Sequence, residues 1–228
     1  MNTCVFCGEK IEYILSLGFI FSFQALKESL VCETCFKKFE RIESKKACPG
    51  CFRQQTKQKT CSDCRKWQQK LFNLPLKHTA LYSYNEMAKE YMNQFKFQGD
   101  VLLAEVFSET LQHYLKPFQK THTIVPVPLS ESSQKNRGFN QVEQLLTQAG
   151  ISYEVLLEHK GTDEKQSTKS KYERMQTAQP FKLKDKRGLT VGKPILIIDD
   201  VYTTGRTIFQ ARESFGEKIA TETFSLFR

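Results

Sequence analysis

The chain lacks several features that would mark a large class of protein. No apolar run is long enough to span a bilayer: the most apolar stretch, residues 14–23, is about half of the roughly 20 residues a spanning helix needs, and Ser16, Gly18 and Ser22 interrupt it. The start carries no basic region followed by an apolar one, so no secretory signal is read there. Glycine and proline are sparse, at 11 and 7 of 228 residues, which argues against a long flexible linker. The pattern GxxxxGK[ST] occurs nowhere, which excludes a Walker A nucleotide loop. No cysteine follows Cys64. With 39% hydrophobic and 26% charged residues the chain is not of the disordered class. The expectation is a soluble protein of the cytoplasm, without a transmembrane segment.

The cysteines are all at the front. They form four pairs with a two-residue gap: Cys4 and Cys7, Cys32 and Cys35, Cys48 and Cys51, Cys61 and Cys64. In a reducing compartment such pairs signify metal rather than disulfides. A two-residue gap lets both sulfurs face one ion, and two pairs complete a tetrahedron. The expectation is two structural zinc ions, since all-cysteine sites leave no open position for chemistry. Gly8 and the Pro49-Gly50 pair suit the tight turns required. Pairing in sequence order closes the shorter loops, while a cross-brace (first with third, second with fourth) stays open. The cysteine boundary suggests two domains, a zinc module over 1–68 and a second domain over 76–228, joined by a short connector.

Charge points to anionic partners. The formal balance is +9, falling to about +5 with eight thiolates on two Zn²⁺. Between residues 36 and 70 lie 11 basic residues against 3 acids. Lys57, Lys59, Arg65, Lys66 and Lys70 are candidate DNA contacts there, with Phe52 and Trp67 placed to stack bases.

From residue 78 onward, strand-like and helix-like segments alternate. Strands are expected over 78–84, 123–128, 151–157, 195–198 and 221–227, and helices over 85–97, 101–115, 140–149 and 207–215. This alternation predicts an α/β domain with a mostly parallel sheet flanked by helices. Residues 195–207 carry the chemistry. Four branched aliphatics, Ile195 to Ile198, suit a strand buried on both faces. Asp199 and Asp200 stand at its C-terminal end, where ligands bind in open α/β folds. A threonine-rich turn around Gly205 then opens a helix, offering amides and hydroxyls to a phosphate. Carboxylates beside phosphate donors fit a ribose 5-phosphate.

These thirteen residues resemble the phosphoribosyl pyrophosphate (PRPP) signature of type I phosphoribosyltransferases. The resemblance implies that Asp199 and Asp200 take the ribose hydroxyls, directly or through Mg²⁺. It implies that Thr203, Thr204, Gly205, Arg206 and Thr207 cradle the 5′-phosphate. Residues 124–129 followed by Arg137-Gly138-Phe139-Asn140-Gln141, with four cysteine pairs ahead, are similar to the ComF (ComFC) family of competence proteins. That resemblance places Arg137 and Gly138 near the diphosphate. It makes 160–180 a mobile loop, with Gln166, Lys171 and Arg174 as candidate contacts. It implies a late competence function in natural transformation, the handling of single-stranded DNA entering the cytoplasm. The partners it implies are a ComF-operon type helicase or translocase, recombination mediator proteins, and PRPP or a related ligand, at the inner face of the membrane. The alternative is an active phosphoribosyltransferase acting on a nucleobase or related acceptor; no acceptor pocket or general base is legible.

Overall fold

A computed structural model describes residues 3–13, 18, 21, 28–70, 77–97, 100–160, 179–184 and 192–228. The expected contacts Gln166, Lys171 and Arg174 lie outside the described residues. Among the described residues, no helix is long and apolar enough to cross a membrane.

The chain beyond residue 77 is built on a parallel sheet of β1 (His78–Tyr82), β2 (Thr123–Pro126), β5 (Ile195–Val201) and β6 (Thr221–Phe227), in the order β1-β6-β5-β2. All three pairings are parallel, so every strand ends at the same edge. Two short strands, β3 (Leu157–His159) and β4 (Phe181–Leu183), form a separate antiparallel pair. This is the α/β class that the alternation implies. The strand expected over 151–157 is corrected by the structure. Only Leu157 lies in a strand, because Ile151 instead closes the preceding helix by donating to Leu146, and Glu154 donates to Ile124 at the sheet's edge.

The helices that shape the site are α3 (Glu86–Phe97), α6 (Glu131–Arg137), α7 (Gln141–Gln148) and α8 (Arg206–Glu213); α4 (Ser108–Leu115) follows a 3₁₀ segment, Val101–Phe107, and α5 (Phe118–Thr121) leads into β2. Helix α6 is not expected from the sequence pattern, since it is polar throughout and has no buried residue. It forms because Ser130 caps its start and Gly138, at φ 78°, ends it.

Strand alternation divides the core. Leu196 and Ile198 face one side with Met92, Phe95, Leu145 and Phe224. Ile195 and Ile197 face the other with Tyr202, Ile208, Phe209 and the last four cysteines. The front of the chain is packed into both. Phe39, which is buried, meets Phe6, Tyr82, Tyr91, Phe107 and Phe227 at ring-centroid distances of 5.0–6.3 Å. Emptying such a site costs about 3–5 kcal/mol. The cysteine-rich segment and the sheet therefore share a core.

The candidate ligand cradle and the cysteine clusters

The cysteines come together in sequence order. Cys4, Cys7, Cys32 and Cys35 form one group and Cys48, Cys51, Cys61 and Cys64 the other, with the sulfurs of each group all within 4.8 Å of one another. Each group repeats one plan. The first pair sits on a turn: Gly8 donates to Cys4 O at 2.8 Å, and Phe52 donates to Cys48 O at 2.9 Å. The residue after the pair is left-handed in both, Gly8 at φ 72° and Phe52 at φ 59°. The second pair starts a helix, α1 (Glu33–Phe36) or α2 (Ser62–Lys70), where a sulfur accepts an amide at 3.4 Å. Gly50 is glycine because a Cβ there would meet Cys64 Sγ at 2.9 Å.

The donor chemistry fits a divalent ion. A tetrahedron with metal–sulfur bonds of about 2.3 Å has edges of about 3.8 Å. The sulfur separations Cys7–Cys32, Cys48–Cys64 and Cys51–Cys61 are 3.8, 3.7 and 3.6 Å. Without a cation the thiols cannot all ionise together. A hydrogen bond from Cys64 and the guanidinium of Arg228 hold Cys51 down to about 4, while the same Cys51 contact and burial push Cys64 up. Burial and the neighbouring thiols push Cys35 up to about 12. In each group one thiol, Cys4 or Cys51, is lowered while neighbours are raised, an imbalance that a bound divalent cation would remove.

The carboxylate pair lies at the C-terminal tip of β5, on opposite faces of the sheet by alternation. Asp200 is buried, and Lys96, from the last turn of α3, holds it at 2.8 Å. Asp199 accepts the amide of Asp200 at 2.9 Å. Burial and then the charge of Asp200 raise Asp199 to about 7, against the pull of Lys96. One carboxylate is thus neutralised by a fixed ammonium, and its neighbour is poised to gain or lose a proton near neutrality. Lys96 is not among the residues that the sequence pattern singles out. It is 104 residues from Asp200 in the chain, and only the approach of α3 to β5 brings them together.

The turn after β5 places Thr203, Thr204, Arg206 and Thr207 at the surface, around a buried Gly205. Gly205 has φ 84°, and a Cβ there would overlap the hydroxyl of Tyr202. Arg206 donates its amide to Thr204 Oγ1 at 3.4 Å, and α8 begins without a side-chain cap.

Arg137 and Gly138 end α6 at the same edge of the sheet. Asn140 ties this segment down: it caps α7 and donates to Val127 O at 3.1 Å, and Val127 in turn donates to Ile198 O at 2.9 Å. Arg137 donates to Gln141 Oε1 at 3.1 Å. Lys57, Lys59, Arg65 and Lys66 are exposed beside the second cysteine group, and Lys70 ends α2, its side chain outside the described residues. Trp67 is placed differently from the expectation that it stacks bases. Its indole packs on Phe209 at 4.3 Å and donates to Thr204 O at 2.9 Å.

No family model matches the chain. It is similar to the competence protein ComFC of Streptococcus pneumoniae, at 37% identity over 227 residues, covering 99% of each chain. It is similar to the competence protein ComFC of Bacillus subtilis at 31% identity over 233 residues, covering 99% of this chain and 94% of that one. Among solved structures, a hypoxanthine phosphoribosyltransferase from Staphylococcus aureus is similar over 54% of this chain and 61% of that one, at 17% identity and a TM-score of 0.32. That last likeness is loose and carries no functional weight.

Proposed function

We propose a function from one premise: the chain belongs to the ComFC family of competence proteins. It serves natural transformation, handling incoming single-stranded DNA on the cytoplasmic side of the uptake machinery. Its two working parts are the zinc module over 1–68 and a type I phosphoribosyltransferase-like domain over 76–228. The first holds two Zn²⁺ through its eight cysteines and presents Lys57, Lys59, Arg65, Lys66 and Lys70 to DNA. The second holds a PRPP-type ligand between the β5 carboxylates and the loop that follows.

The carrying observation is the arrangement at the tip of β5. A carboxylate pair is followed by an exposed threonine turn that pivots on a glycine no other residue can replace without collision. Asp199 and Asp200 accept the ribose hydroxyls. The turn from Thr203 to Thr207 takes the 5′-phosphate, and Arg137 and Gly138 lie toward the diphosphate. Mg²⁺, when bound with PRPP, offsets the diphosphate charge. Lys96 supports the reading by supplying a fixed positive charge against Asp200, so the second carboxylate need not be neutralised by the ligand. The zinc has a structural role, with Cys48, Cys51, Cys61 and Cys64 built into the core beneath the site.

Catalysis is a second reading, favoured by one observation. Asp199, raised to about 7, could take or give a proton near neutral pH as a bond to the sugar breaks.

A transformation assay on cells carrying Asp199→Ala with Asp200→Ala tests the proposal. Loss of transformation with normal protein levels is expected. Normal transformation would reduce the pocket to a scaffold.

A further inference from the structure

Three successive carbonyls of the proposed phosphate loop point the same way, toward groups that belong to the second cysteine cluster or touch it. Arg228 donates through Nη1 to Tyr202 O at 3.3 Å and to Thr203 O at 3.1 Å. The same guanidinium donates through Nε to Cys51 O at 3.0 Å and through Nη2 to Cys51 Sγ at 3.1 Å. Its Cζ lies over the Tyr202 ring, 4.5 Å from the centroid. The third carbonyl, Thr204 O, is held by the indole of Trp67. Trp67 is the third residue after the cluster's last cysteine, and it stacks on Phe209 in the first turn of α8.

A trans peptide sets the direction of the amides. Its C=O and the N–H of the next residue point opposite ways, and no cis peptide is present among the described residues. With the carbonyls of Tyr202, Thr203 and Thr204 tied toward the cluster, the N–H groups of Thr203, Thr204 and Gly205 turn away from it. Among the described residues these three amides donate to no acceptor. Successive amides aimed outward, ahead of a helix start, are the form of an anion cradle.

We propose that Trp67 and Arg228 are positioning residues: they lock the 202–205 loop, from the second cysteine cluster, with its amides directed at the ligand phosphate. This rests on the reading that the loop binds a phosphate, and it assigns the cluster a task beyond folding its own segment. The state of the cluster is then felt at the phosphate site. The guanidinium that grips Cys51 is the one that grips the loop, so displacing one end disturbs the other.

The test uses the full-length zinc-loaded protein, with ribose 5-phosphate and inorganic phosphate as probes. Trp67→Phe keeps an aromatic ring against Phe209 and removes the N–H together with part of the indole's bulk. Arg228→Lys keeps the charge but cannot bridge Cys51 and the loop. Each variant is expected to bind both probes roughly fivefold to tenfold more weakly, the yield of about one lost hydrogen bond. Zinc content is expected to stay at the wild-type value. The amide resonances of Thr203, Thr204 and Gly205 should respond to inorganic phosphate in the wild type and respond less in the variants. A general packing defect would not single out these three resonances. If the wild type itself binds neither probe, the phosphoribosyl reading fails. If the wild type binds and Trp67→Phe binds equally well, the positioning role is refuted, whether or not Arg228→Lys retains its metal.

Discussion

Replacing Gly205 with alanine probes the cradle through one methyl group. The position has φ 84°, and leaving glycine there costs an L residue roughly 1–2 kcal/mol. The added Cβ would also overlap the hydroxyl of Tyr202 and stand 3.1 Å from its Cε1. That ring cannot swing aside cheaply. It is 3% exposed, packed by His78 at 4.4 Å on one hand and by Arg228 on the other. Overpacking of this kind costs about 1–3 kcal/mol, so the total is roughly 2–5 kcal/mol. In a chain of this size that lowers Tm by about 4–20 °C. Urea unfolding of Gly205→Ala, alone and with Tyr202→Phe, separates the contributions. Removing the hydroxyl takes away the nearest obstructing atom and should recover part of the loss, while the backbone cost stays. A single variant within about 0.5 kcal/mol of wild type would refute the close packing of Tyr202 beneath the loop.

Three further outcomes are expected. Metal analysis should find about two zinc ions per chain, and chelation should unfold the protein; a folded metal-free protein would defeat the cluster assignment. Asp199 titrates near 7 instead of 3.8, so the folded state binds its proton more tightly than the unfolded chain. Its contribution therefore lowers stability progressively as pH rises from about 4 to about 7, by roughly 4 kcal/mol at most; Asp199→Asn should flatten that slope in urea melts, and identical slopes would overturn the assignment. Single-stranded DNA affinity should fall with salt. Charge reversal at Lys57, Lys59 and Arg65 should weaken binding and reduce the salt slope by about 2, and unchanged binding would remove those residues from the interface.

The parts of this protein that are legible in its sequence are those whose chemistry is contiguous. The aliphatic strand, the aspartate pair and the threonine turn follow one another, so their placement at the tip of β5 and the start of α8 can be read together. The cysteine spacing announces a metal-binding plan, and proximity in the chain points to the sequential grouping that the fold adopts. Lys96 is hidden because nothing beside it in sequence sets it apart; its meaning comes from the packing of α3 against β5. Trp67 misleads because a tryptophan among basic residues fits a base-stacking platform, and only the fold shows it turned onto Phe209. Arg228 carries no motif, and it gains a role by following β6 to a place beside Cys51 and Tyr202. Residues 151–156 hold enough apolar character for a strand, but the turn that closes α7 carries them past the sheet rather than into it.

The most direct test of the cradle is calorimetric titration of the wild-type protein with PRPP and Mg²⁺, beside the Asp199→Ala, Asp200→Ala double variant. Saturable binding of one molecule per chain, abolished in the variant while zinc content and fold persist, is the expected result. No binding to the wild type, or equal binding to both proteins, would contradict it.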